Sequence, residues 1–152
     1  MTHAFNFNYR LPTASSIPYG IWTIPEISMV GETEQTLQAK GQAYVVGRAR
    51  YHQNPRGMVL GDKLGLIKLI FSAEDLSLLG VHIIGQEACE LIATGLIALE
   101  TQATAQNFIN LCFNFPSLSD MYKYAAYDAL DMYRKSAQVD FGPGPEFRIN
   151  GR

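Results

Sequence analysis

Few side chains in this sequence can move protons, attack an electrophile or hold a metal, and their spacing limits what they can do together. The 152 residues contain three histidines, His3, His52 and His82, and two cysteines, Cys89 and Cys112. There is no Cys-x-x-Cys and no Cys/His cluster, so neither a zinc centre nor a local redox disulfide is expected, and no metal-ligating residue is assigned. Both cysteines lie in apolar surroundings and are expected to pack as small, buried, reduced thiols. His82 falls in an apolar strand-like run, where a histidine is ordinarily just hydrogen-bonded; His52 is expected at the surface. Arg48 and Arg50 alternate along one face, and guanidinium forks at that spacing suit a phosphate. Charged residues on the wet face of a strand are the ordinary alternative.

The stretch with the most local instruction is Asn114-Phe115-Pro116-Ser117-Leu118-Ser119-Asp120. Proline biases Phe115 to an extended backbone, Ser117 is a natural N-cap, and Asp120 stands where a capping-box acid reaches back to the cap. From there to Tyr133, apolar residues recur at three-and-four spacing: Leu118, Met121, Tyr122, Ala125, Ala129 and Tyr133. That is a helix with a broad apolar face, and both of its sides carry large groups. Met121, Tyr122, Tyr124, Ala125, Tyr127 and Asp128 are therefore expected to form a self-complementary patch that joins a second copy, since aromatic residues and Met are enriched in interface cores. The alternative is that these groups face the domain's own sheet.

Composition narrows the classes of function. The chain is 47% hydrophobic and 17% charged with a formal net charge of −2, as in an ordinary globular domain. Its lysines and arginines are scattered, which excludes the basic stripe of a nucleic-acid binder. No apolar run reaches membrane-spanning length and the start has no signal-peptide form, so a cytoplasmic location is expected. No Gly-x-Gly-x-x-Gly follows a strand, so this chain is not expected to bind FAD or NAD(P) by itself.

The elements that must carry these residues follow from pattern. Residues 1–18 are polar and turn-rich and read as an arm. Tyr19 to Val30, interrupted at Pro25-Glu26, reads as an irregular or edge strand. Thr33 caps a short helix that Gly41 stops. Residues 43–51 read as a strand and 53–61 as a loop or short turn. The apolar runs 64–71 and 78–84 form an antiparallel hairpin. Helices follow from 85 onward, with Ala88, Leu91, Ile92, Gly95, Leu96 and Leu99 as one stripe, and over 104–113 with Ala105, Phe108, Ile109 and Cys112 inward. Gly95 suggests a close approach to its helix, because Gly costs about 1 kcal/mol there relative to Ala. Residues 135–152 are expected to form a flexible tail.

Three motifs resemble one family. Phe113 to Lys123 resembles the closing motif of the flavin-dependent pyridine nucleotide-disulfide oxidoreductases, Tyr19 to Gly31 resembles the opening motif of their C-terminal dimerisation domain, and Gly80-Val81-His82-Ile83-Ile84-Gly85 resembles that domain's most widely shared signature. The resemblance implies an α+β fold, an antiparallel sheet packed against helices, over residues 19–134, with 1–18 as the exit from a missing flavin module. It implies a homodimer, FAD and NAD(P) in the full-length parent, and Phe115 and Pro116 beside the partner's flavin. Disulfide-reducing members carry a His before the proline and a Glu downstream; here Phe115 and Asp120 stand there, and phenylalanine transfers no proton. That places the chain nearest the soluble transhydrogenase branch, which passes hydride between NADPH and NAD+, with a dihydrolipoamide dehydrogenase-like reductase or a free-standing, non-catalytic dimerisation module as alternatives. Catalytic residues are expected to be none, and the isolated chain inactive.

Overall fold

The computed structural model describes residues 16–137. The arm over 1–15 and the tail beyond 137 lie outside the described residues. Five strands, β1 (Tyr19–Ile21), β2 (Ile27–Gly31), β3 (Tyr44–Arg50), β4 (Leu66–Ser72) and β5 (Leu78–Ile84), form one antiparallel sheet in the order β1-β2-β5-β4-β3. Among the described residues five α-helices and one short 3-10 helix (Tyr51–Gln53) accompany it: α1 (Glu34–Lys40), α2 (Pro55–Leu60), α3 (Ala88–Glu100), α4 (Ala105–Asn110) and α5 (Met121–Ala137). The α+β architecture expected from the sequence is the one observed.

Local chemistry explains most boundaries. Thr33 and Thr36 form a reciprocal capping box, and Gly41 closes α1 at φ 65°, the left-handed conformation that favours glycine. The β4–β5 hairpin has the expected pairing, from Leu66 opposite Ile84 to Phe71 opposite Leu78. Residues 53–61, expected as a loop or short turn, contain a helix. Asn54 caps α2, its Oδ1 accepting from Arg56 N–H at 2.9 Å and Gly57 N–H at 3.1 Å, with Pro55 at the first helical position, where its missing donor costs nothing.

The sheet has two unlike faces. On the inner face α3 lies over β5 and β2, and α5 over β3 and β4, enclosing Ile67, Leu69, Phe71, Val81, Ile83, Phe108 and Tyr122. Gly95 allows the close approach its presence suggested, for a Cβ there would lie 2.8 Å from Val81 and 3.0 Å from the Tyr122 hydroxyl. On the outer face α1 covers only one end, where Leu37 and Ile70 are fully buried and Glu34 pairs with Lys68 at 2.8 Å. Beyond α1, two cross-strand rows are covered by no helix among the described residues. Register places Tyr19, Met29, His82, Lys68 and Arg48 in one, and Ile21, Ile27, Ile84, Leu66 and Arg50 in the other.

Candidate functional site: the Phe115 loop and the last helix

The loop between α4 and α5 is held from below and displays one aromatic ring. Leu118 is buried, Ser117 Oγ donates to Asn114 O at 2.7 Å, and the same oxygen accepts from Asp120 N–H at 3.3 Å. A further tie crosses 63 residues of sequence: Asn54, 2% exposed, donates from Nδ2 to Ser117 O at 3.1 Å. Sequence reasoning missed Asn54, although an Asn directly before Pro55 is itself a helix-start signal. Phe115 is 71% exposed, and the peptide joining it to Pro116, also exposed, is cis. Ser117 caps this short turn, and α5 begins four residues after it. Asp120 is buried, while no ionisable group stands at position 115. The loop therefore offers shape, apolar surface and main-chain polar groups, with no acid–base pair.

α5 divides the proposed interface residues into two sets. Met121, Tyr122 and Ala125, expected to meet a second copy, are between 0 and 1% exposed within one chain. This corrects the sequence reading: a side chain already withdrawn from solvent has no surface left for a partner. The reason is β3. Gly47 lets α5 settle onto the strand, since a Cβ there would lie 2.6 Å from Ala129 N and 2.7 Å from Ala129 Cβ. Tyr122 goes deepest, stacking on Phe108 with ring centres 5.5 Å apart and donating its hydroxyl to Leu91 O at 2.8 Å; burial pushes that phenol well above its ordinary range. Asp128 is half-buried and turned to the same strand, where Oδ2 accepts from Arg48 N–H at 2.8 Å. It satisfies a donor that an edge strand would leave open. Tyr124 and Tyr127 remain outward, 45% and 49% exposed, with Met132 beyond them.

Other expectations divide similarly. Cys89, in the first turn of α3, is only half-buried, and Cys112 is exposed because α4 ends at Asn110 and the chain has left the core by 112; both are free thiols. Burial, with Glu26 next in effect, raises the Cys89 thiol above its usual range, so it is not a primed nucleophile. His82 is not hydrogen-bonded as expected; neither ring nitrogen has a partner among the described residues. Burial first, then the nearby Lys68 charge, lowers its pKa to about 4. His52 is exposed. Arg48 faces Glu34 at 3.7 Å, whereas Arg50 makes no ion pair among the described residues. Those residues hold no group of three His, Cys, Asp or Glu that could bind a metal, and no helix among them is long and apolar enough to cross a membrane.

A two-layer domain with an antiparallel sheet, helices on its inner face and a projecting loop before the last helix is the class this geometry defines. Residues 17–126 match the family model described as the pyridine nucleotide-disulphide oxidoreductase dimerisation domain, and the chain belongs to that family. It is 42% identical over 117 residues to a soluble pyridine nucleotide transhydrogenase of Mycobacterium tuberculosis, covering 77% of this chain and 25% of that protein. A soluble pyridine nucleotide transhydrogenase of Marinomonas sp. is 38% identical over 120 residues, covering 77% and 26%. The fold also matches the crystal structure of LpdA from Mycobacterium tuberculosis, with TM-score 0.73 and 21% identity over 83% of this chain and 28% of that one. The HOCl-induced flavoprotein disulfide reductase RclA of Escherichia coli matches at TM-score 0.70 and 22% identity, over 74% and 26%. The chain thus spans about a quarter of the length of these relatives.

Proposed function

We propose that this chain is the C-terminal dimerisation domain, residues 19–134, of an FAD-dependent soluble pyridine nucleotide transhydrogenase. In this reading the outward tyrosines of α5, Tyr124 and Tyr127, meet a second copy, and the Phe115–Pro116 loop completes the partner's flavin site. FAD in the parent would supply the hydride carrier between NADPH and NAD+. This chain's part is structural: Phe115 forms an apolar wall and excludes water, and the loop's main chain offers hydrogen-bonding groups. No described residue builds a nucleotide-binding turn, so the fit is that of a wall against a ring, and the isolated chain is inactive. The cytoplasm is the compartment this reading assigns.

The observation that carries the proposal is Phe115, an exposed aromatic on an anchored loop where a dithiol reductase needs a proton-transferring group. The relatives named as transhydrogenases support the same choice. Sedimentation equilibrium of this chain against a Tyr124→Asp, Tyr127→Asp variant tests the surface. A dimer that becomes a monomer with an unchanged far-ultraviolet spectrum is expected, and both positions are exposed enough to accept the charge without unfolding. A monomeric wild-type chain would show that α5 does not suffice for pairing. Reduction of NAD+ by dihydrolipoamide with the full-length parent would overturn the transhydrogenase assignment.

A further inference from the structure

The outer sheet face beyond α1 is the least satisfied surface among the described residues. Its two uncovered rows enclose a concavity of about 360 Å3 whose floor includes Ile27, Met29, Leu66 and Ile84. That volume lies at the lower end of the range for small-ligand sites, roughly 300–1,000 Å3. Its two ends differ in charge. Toward β1 it is apolar, with Tyr19 and Ile21 both exposed. Toward β3 it ends in Lys68, Arg48 and, by register, Arg50, three cations against the single carboxylate of Glu34.

His82 stands where the apolar and basic halves join, between Met29 and Lys68 in its row. Both of its ring nitrogens are shielded from solvent and have no partner among the described residues, although buried polar groups nearly always find a partner. The flanking Met29 and Lys68 are long and unbranched, and Lys68 is held by Glu34 at 2.8 Å.

We propose that this face binds a small amphiphilic anion, its apolar body lying over Ile27, Met29, Leu66 and Ile84 next to His82 and its carboxylate or sulfonate held by Arg48 and Arg50 at the β3 end of the rows. Guanidinium forks match such head groups in geometry as well as charge. The apolar floor lies on the sheet face opposite α5, while its cationic end reaches the β3 edge, where Arg48 and Arg50 also border Tyr124 of α5.

Octanoate is the probe, titrated into the full chain carrying 13C-methyl methionine and 15N-histidine. Saturable shifts at the Met29 methyl and the His82 ring are expected. Octylamine, with a matching body and the opposite charge, and acetate, with the head and no body, are expected to leave both signals in place. Arg50→Gln, at an exposed position, is expected to weaken octanoate by about ten-fold, the effect of one charge-assisted hydrogen bond. Absence of shifts at these two residues, equal binding of octylamine, or unchanged affinity in Arg50→Gln would each overturn the proposal. Shifts that depend on protein concentration without any ligand would do so too, placing a second copy on the face.

Discussion

Replacing Gly47 by alanine tests the central packing relation, α5 on β3. In an open strand the change should stabilise, because glycine there costs roughly 0.5–1 kcal/mol in lost chain entropy. Here the added methyl would fall onto the Ala125 carbonyl and within 2.7 Å of Ala129 Cβ, against about 3.5–4.0 Å for an ordinary carbon contact. Both obstructions belong to the helix framework, so no side chain can rotate away; α5 must retreat by about 1 Å, which forfeits a quarter to a half of each contact it makes. The residues affected are those that fill the inner face, Met121, Tyr122, Ala125, Ala126 and Ala129. Overpacking alone costs about 1–3 kcal/mol, and with the loosened contacts a net loss of about 3 kcal/mol is expected. Urea unfolding followed by circular dichroism should show the midpoint falling by about 1–2 M at unchanged slope. Gly41→Ala provides the contrast: φ is 65° and nothing lies within 4 Å, so only the left-handed penalty of about 1–2 kcal/mol applies. A loss below about 0.5 kcal/mol for Gly47→Ala, or a gain, would refute the seating of α5 on β3. Gly47→Ala should also weaken pairing through Tyr124 and Tyr127, and Gly41→Ala should not.

Three further outcomes follow from individual contacts. Tyr122→Phe removes the hydroxyl bonded to Leu91 O and should cost about 1 kcal/mol in urea unfolding while leaving the ring stack intact. Asp128→Ala strips the Arg48 N–H of its acceptor and should cost a similar amount, about 1 kcal/mol, with faster amide exchange at Arg48 than at its neighbours. His82, lowered to about 4 from its ordinary value of 6.5, is neutral in the folded chain where the unfolded chain binds a proton. Its contribution is therefore full above pH 6.5, is lost as pH falls, and levels off below about 4. Lys68, Glu34 and Arg48 are the charged groups around it, and His82→Leu should flatten the slope of urea midpoint against pH across that window.

How much of this was legible in sequence depended on the range of the interaction that decides each feature. The first helix was readable because Thr33 and Gly41 lie at its own ends, and the β4–β5 hairpin because alternation and turn chemistry are local. α2 falls where a loop or short turn is expected over 53–61, although Asn54–Pro55 is itself a helix-start signal. The facing of α5 was not decidable from its own residues. Tyr122 and Tyr124 are chemically alike, and what separates them is Gly47, which is 75 residues away from Tyr122 in sequence and admits the helix to β3 on one side only. The same distance hid the role of Asp128, since its partner is a main-chain N–H of an edge strand, which leaves no mark in residue type.

The Phe115 loop differs from an acid–base site in more than one side chain. An acid–base dyad needs a proton-carrying ring at the exposed position and an acid free to orient it. Phe115 stands out from the surface, but Asp120 is withdrawn into the base of α5, its main-chain N–H engaged by Ser117 and its carbonyl accepting from Lys123 N–H at 3.1 Å. The turn that places Asp120 inward is the one that Asn54 ties to α2. A histidine at position 115 would thus meet a loop whose anchoring keeps the acid in the interior. A dyad here would need a proton-carrying ring at position 115 and an acid no longer buried at position 120.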